Sequence, residues 1–352
     1  MKKVYTTPEY KYRHKQRGLK ILRQRQQHNQ PERKKIDSNN KHEQFSVTTK
    51  STVLAPSDFR LLENTEFVVS FFQCLRSEYF TSHKGPTRYV KMSLKHITKI
   101  DYAAISILTA IGDDLKYKRV LLLGDLPQDN DCRKFMIESG YLNNLYDEHR
   151  RKFAPAPKSE MIFFEKGCGI LSAAENKKMS ELVKNAVNHL TGESRHFQPV
   201  KSIILEICGN SIEWSGTENK QWLLGVKYEV NRVVFTVSDV GRGILDTLYR
   251  KPNLRLKDLF SAKGDDGILK GAFDQKYGSR TLEINRNKGL PSVKTNFVQG
   301  TILSLKVITN NVILHFDDDK RSRVFKARSD RFKGTFYQWE MTNDCLNKII
   351  IE

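Results

Sequence analysis

Two short clusters of polar residues are spaced for chemistry. In Glu206-Ile207-Cys208-Gly209-Asn210 a carboxylate and an amide lie four residues apart. Around them Val200, Ile203, Ile204, Ile207 and Ser211 recur at helical spacing, which puts Glu206 and Asn210 together on the other face, one turn apart. From one face the amide oxygen can meet a hard cation while the carboxylate stays free for a water. The second cluster, Asp239-Val240-Gly241-Arg242-Gly243, comes thirty-odd residues later, directly after the apolar run Val233 to Val237. That run reads as a strand, and the glycines let the backbone turn tightly against something flat.

At these residues the chain resembles the GHKL ATPase superfamily, whose members include DNA gyrase, histidine kinases and the serine kinases of anti-sigma-factor systems. The family's Glu-x-x-x-Asn matches Glu206 and Asn210, and its Asp-x-Gly-x-Gly matches Asp239, Gly241 and Gly243. The resemblance implies ATP and Mg²⁺ as cofactors. It makes Asn210 the metal ligand, Glu206 the catalytic residue that positions or deprotonates the attacking water, and Asp239 the acceptor for the adenine amino group. Gly241 and Gly243 would give base and ribose close approach. A third family motif, a Gly-x-Gly-Leu turn ending a mobile lid, matches Asn287-Lys288-Gly289-Leu290, with Asn where the family has its first glycine. Pro291 suits the first turn of a helix, and the free amides of a helix opening at Gly289 make a phosphate site, with Lys288 and Lys294 nearby. Two pairs compete for the family's closing Gly-Thr, Gly300-Thr301 and Gly334-Thr335. The second is preferred because it follows a hairpin read over Ile302 to Ile308 and Val312 to Phe316 about Asn310-Asn311, which adds Thr335 to the cofactor-binding set.

These residues need a scaffold, expected over 159–345 as a Bergerat-type α/β sandwich with a mixed sheet and an ATP lid. Met161 to Phe164 reads as a strand, Asn176 to Leu190 as an amphipathic helix, and Gln198 to Ser215 as the helix of Glu206, ended by Gly216. Trp222 to Val230 and Val233 to Ser238 read as a hairpin across Asn231-Arg232. Leu245 to Arg286, long and charged, reads as the lid, with Lys263, Lys270, Lys276 and Arg280 as phosphate contacts.

A smaller α/β domain is expected over 51–150, joined by a linker at 151–158. Its elements are a strand at Arg88 to Leu94, a helix at Tyr102 to Leu115, a buried strand at Arg119 to Leu123 and a helix from Asp131 to Ser139 ending at Gly140. This segment resembles the STAS domain of anti-sigma-factor antagonists, with Ile100-Asp101-Tyr102-Ala103-Ala104 standing where the family has Asp-Ser-Ser-Gly. Ala103 then takes the place of the phosphorylated serine, Asp101 is left as a helix cap, and Ser106 is a packed residue of the helix. The resemblance implies a degenerate STAS-like unit that offers a docking surface to a protein partner or to the rest of the chain.

Of a net charge of +20, about half sits on residues 1–41, where thirteen Lys and Arg face three acids. Residues 1–50 read as a basic, disordered arm in which Arg13, Lys15, Arg17, Lys20, Arg23 and Arg25 contact nucleic-acid phosphates and Tyr5, Tyr10 and Tyr12 stack on bases. Five scattered cysteines without a C-x-x-C argue against a zinc site or a disulfide framework. No apolar run is long enough for a bilayer, so the expectation is a cytoplasmic protein without a membrane partner. His96, read on a strand edge, and His149, in a basic loop, lack the setting of a histidine-kinase phosphoacceptor. The functional expectation is an ATP-dependent conformational switch with slow Mg²⁺-dependent hydrolysis, in which nucleotide also drives homodimerisation as in many relatives. The alternatives are a protein serine kinase of the anti-sigma-factor type and a nucleic-acid-binding accessory protein.

Overall fold

The computed structural model describes residues 52–77, 88–144, 153, 162–169, 171–250, 264–274 and 289–348. Residues 45–352 make one compact unit. Outside the described residues lie the basic arm with Arg13, Lys15, Arg17, Lys20, Arg23 and Arg25, and also His149, Lys263, Lys276, Arg280, Asn287 and Lys288.

The fold is α+β, built on a seven-stranded sheet. Its strands are β6 (Ile162–Cys168), β7 (Gln221–Glu229), β8 (Arg232–Asp239), β9 (Leu303–Asn310), β10 (Val312–His315), β11 (Arg323–Val324) and β12 (Phe332–Thr342). They run in the order β11-β10-β9-β12-β8-β7-β6, and every pairing is antiparallel, where a mixed sheet was expected. Two tight hairpins, β7 to β8 and β9 to β10, have connections too short for a parallel crossover, while the helix-bearing connections, such as that from β6 to β7, bring the chain back antiparallel to its neighbour.

Strand alternation divides the apolar residues between two faces. Val233, Phe235 and Val237 of β8 and Tyr337, Trp339 and Met341 of β12 share one core, and Phe235 stacks on Trp339 with ring centroids 5.5 Å apart. Against that face lie α4 (Ala173–Thr191), α5 (Gln198–Trp214), α6 (Ile244–Leu248), α7 (Asp265–Phe273) and α8 (Gly289–Val298). Local sequence specifies them well: Ser172 and Glu175 form a capping box at the start of α4, and Gly192 ends it with φ +77°. Pro199 lies in the first turn of α5.

The opposite face carries Leu223, Ile308, Ile313, Phe332 and Phe336 and is covered by the smaller segment. That segment holds a parallel sheet of β1 (Thr52–Leu54), β3 (Arg88–Ser93) and β5 (Val120–Gly124), a short parallel pair β2 (Asp58–Phe59) with β4 (Lys99–Ile100), and helices α1 (Thr65–Leu75), α2 (Tyr102–Tyr117) and α3 (Asn130–Glu138). Helix α2 is buried almost all round because it packs between the two sheets. Asp101 caps it, accepting the Ala104 amide at 2.7 Å; Ser106 is buried as expected, and Ala103 is buried as well. Ser106 Oγ lies 3.3 Å from Thr236 Oγ1 on the large sheet, and Gln221 Nε2 donates to the Ala110 carbonyl at 3.3 Å. The smaller segment thus packs on the large sheet of the same chain.

Several expectations change. The turn between β7 and β8 is Val230-Asn231, since Glu229 pairs with Arg232, one residue before the expected turn. Strand β5 lies at a sheet edge with Leu121 53% and Leu123 47% exposed, so its continuous apolar run does not mark a buried strand. His96 sits in the turn after β3 rather than on a strand edge. The expected lid is helical in its described parts, because Leu245, Leu248, Ile268, Leu269 and Phe273 join the core. Helix α1, whose Phe71 and Phe72 are fully buried, was not read as an element at all. Among the described residues no helix is long and apolar enough to cross a membrane.

Candidate functional site

Helix α5 turns Ile203, Ile204, Ile207 and Cys208 into the core, which leaves Glu206 and Asn210 half-buried on the face towards α8. Gly289 opens α8 directly above them. A Cβ at that position would lie 2.8 Å from Asn210 Nδ2 and 3.1 Å from Glu206 Oε2, so the glycine lets the backbone come this near without displacing either side-chain end. The α8 amides therefore start beside the carboxylate and the amide, at a helix end that favours negative charge. Asn210 Nδ2 is buried without a hydrogen-bond partner. Such an atom costs stability unless something pairs with it, and a half-turn of the amide would present oxygen there instead. Removal from water, with the like charge of Glu213 second, raises the Glu206 carboxyl above its ordinary value.

Asp239 ends β8, is 6% exposed, and meets α5 at Ser211, on the buried side of the helix. Its Oδ1 accepts the Gly241 amide at 2.8 Å, its Oδ2 accepts Ser211 Oγ at 3.3 Å, and the Thr335 side chain also bonds to it. Thr335 stands directly opposite in the β8–β12 ladder. Burial pushes the carboxyl up to about 6, against the pull of these donors and of Arg76. Since Ser211 follows Asn210, a single turn of α5 joins the two clusters that the sequence set thirty-odd residues apart.

The glycines of the second cluster make their closest approaches to protein. A Cβ on Gly241 would come within 2.5 Å of the Ser215 carbonyl, and one on Gly243, at φ +84°, within 2.5 Å of Asn310 Oδ1. The loop is wrapped on the end of α5 by Arg242 N donating to the Ser215 carbonyl at 2.8 Å. Asn310, at φ +53° in the β9–β10 turn, accepts the Leu245 amide at 3.0 Å and donates to the Arg242 carbonyl at 2.8 Å. Both glycines therefore also have a reason within the protein itself. Gly241→Ala is accordingly expected to lower the stability of the nucleotide-free protein by about 1–3 kcal/mol, read from urea denaturation, because the added methyl overpacks a backbone contact.

Two of the lysines read as phosphate contacts are ion-paired within the chain. Lys270 pairs with Asp319 at 2.5 Å and Lys294 pairs with Asp274, so each already has a carboxylate partner. Gly300-Thr301 lies where α8 ends, the Thr301 amide donating to the Asn296 carbonyl at 3.0 Å, away from the Asp239–Thr335 ladder. Sequence reasoning missed Ser211, Asn310 as a cap, and Arg76, whose guanidinium reaches the carbonyls of Val240 and Lys333, both at 2.5 Å. Adjacency to Asn210 was the available signal for Ser211; nothing local marks Arg76.

A cation could be met at Asn210 only through its amide oxygen, which a half-turn would bring to the place of the orphaned Nδ2. Among the described residues no group of three or more His, Cys, Asp or Glu is placed to hold a metal alone. Magnesium commonly takes one or two protein oxygens and completes its shell with phosphate and water, which suits a lone Asn210 with its orphaned amide.

No family model matches the chain, and no curated protein matches it. A chain in the crystal structure of the SiaB-SiaC complex from Pseudomonas aeruginosa is similar over 50% of this chain and 88% of its own, at 13% identity and a TM-score of 0.24. A score that low carries no functional inference.

Proposed function

We propose that this chain binds ATP with magnesium between α5, α8 and the β8–β12 edge, and that nucleotide acts as a switch by tying α8 to α5. The observation that carries this reading is the Gly289 opening of α8 against Glu206 and Asn210, with Ser211 of the same turn bonded to Asp239. Asp239, fixed by Gly241, Ser211 and Thr335, accepts the amino group of adenine through its remaining lone pairs. Asn210 offers its amide oxygen to the metal, and the first amides of α8 take the γ-phosphate. Magnesium, when bound, neutralises phosphate charge. Glu206, with a raised carboxyl pKa, orients a water and takes its proton. Loss of the γ-phosphate removes the link between α5 and α8 and returns the switch.

The test is ATP labelled at the γ-phosphate, incubated with the full chain and Mg²⁺. Saturable binding with slow appearance of free phosphate, stopped by EDTA, is the expected result. Absence of binding overturns the reading. Label transferred to a serine of an added protein replaces hydrolysis by the serine-kinase reading at the same residues.

A further inference from the structure

Arg76 follows the last residue of α1, in the smaller segment, 164 positions before Val240. Its side chain is 9% exposed. Nη2 donates to the Val240 carbonyl and Nη1 to the Lys333 carbonyl, both at 2.5 Å. Each carbonyl needs an outside donor. Val240 lies just beyond the end of β8, and Lys333 lies where the β12 ladder shifts register between Phe332 and Thr335, at a bulge completed by Gly334 with φ +151°. The sheet leaves both unpaired, and buried carbonyls without partners are costly. A planar guanidinium with several donors serves two at once, which a single ammonium does less well.

The guanidinium also has a carboxylate neighbour, with Nε itself making no hydrogen bond. Asp114 of α2, 1% exposed, lies 3.9 Å from Arg76 Nε and accepts Lys118 Nζ at 2.7 Å. The charge of Asp239 also acts on Arg76, after that of Asp114, while burial opposes both. We propose that Arg76 is a positioning residue for the Asp239–Thr335 end of the nucleotide site, so that the smaller segment completes a site whose other groups all follow residue 200. This inference rests on the nucleotide reading above. It gives the packed smaller segment a consequence: a shift of α1 or α2 on the sheet moves the base-binding carboxylate and leaves Glu206 and Asn210 on α5 in place.

The experiment compares the full chain with Arg76→Met and Arg76→Lys. Arg76→Met is expected to weaken ATP binding about tenfold, the scale of a lost charge-assisted hydrogen bond, and to change turnover at saturating ATP by no more than about twofold. It also moves the pH profile of binding. Asp239 faces the Ser211 hydroxyl of α5, the Thr335 hydroxyl and Tyr337 phenol of β12, the Gly241 amide and Arg76, while Asp114 and Lys118 face Arg76. Arg76 is the cation among the groups acting on Asp239, and removing it lets the carboxyl protonate at higher pH. The acid limb of ATP affinity therefore shifts upward in Arg76→Met and stays in place in Arg76→Lys, which keeps the charge. Should Arg76→Met fail to fold, Arg76→Lys decides: weaker binding with the parental pH profile supports the inference, and parental affinity overturns it. ATP binding unchanged in Arg76→Met overturns this inference alone, whereas a parent that binds no ATP overturns the nucleotide reading and this inference together.

Discussion

Asp239→Asn is expected to weaken ATP binding about a hundredfold while making the nucleotide-free protein more resistant to urea at pH 7. The loss of affinity follows from exchanging a buried charged acceptor for an amide, half of which is a donor facing the adenine amino group. The gain in stability follows from burial. Asp239 has its carboxyl pushed from 3.8 up to about 6 because removal from water outweighs its donors and Arg76. The folded chain therefore holds that proton more tightly than the unfolded chain, and stability falls as pH rises from about 4 to about 6. Above that window the carboxylate costs on the order of 3 kcal/mol, at about 1.4 kcal/mol per unit.

Asparagine avoids this cost and can still accept the Gly241 amide while donating to Ser211 or Thr335. The expected gain is about 1–2 kcal/mol at pH 7, vanishing near pH 4, where the native carboxyl is already protonated. Asp239→Ala is predicted to lose ATP as completely without the gain, because it strands the Gly241 amide and the Ser211 hydroxyl. Urea midpoints at the two pH values, with ATP titrations at pH 7, check the argument. An Asn variant that is less stable at pH 7 and binds ATP like the parent defeats it.

The parts of this protein legible in its sequence are those with local causes. The 3.6-residue rhythm of Val200, Ile203, Ile204 and Ile207 specifies α5 and puts Glu206 and Asn210 on one face. Gly216, with φ +66°, marked the end of that helix, and Asn310-Asn311 marked a hairpin. Preference for Gly334-Thr335 over Gly300-Thr301 also had a local reason, room for the β9–β10 hairpin, and the ladder pairs Thr335 with Asp239. Long-range packing left weaker marks. Apolar content signals burial without saying against what, so Leu121 and Leu123 read as core when they face outward, and Phe71 and Phe72 read as nothing in particular. Leu245 and Phe273 lay inside an apparent lid because charge and glycine around them outweighed their own hydrophobicity in a sequence window. Arg76 is the extreme case. Its role comes from a bulge and a strand end in a sheet formed over 150 residues later, and no pattern around residue 76 records either.

Glu206→Gln separates binding from chemistry, and its expected effect is the largest on rate. The amide keeps the shape and stays beside Asn210 and the opening of α8, so ATP affinity should hold within about threefold. Turnover should fall by about 10²–10⁴, the range for losing a general base. Acidity gives an independent check. Desolvation, then Glu213, raises the Glu206 carboxyl, so the ionised base is lost on acidification at higher pH than for a free glutamate, and parental turnover falls along that limb. In Glu206→Gln the limb should disappear from the residual rate. In Glu213→Gln it should move to lower pH, because a like charge has gone while Glu206 remains. Single-turnover rates from pH 5 to 8 distinguish these outcomes. A Gln variant that turns over at the parental rate removes Glu206 from catalysis, and one that binds no ATP makes Glu206 a binding residue. If the Glu213 change leaves the limb fixed, the titrating group is another one, and the proton must leave the water by a different path from the one along α5.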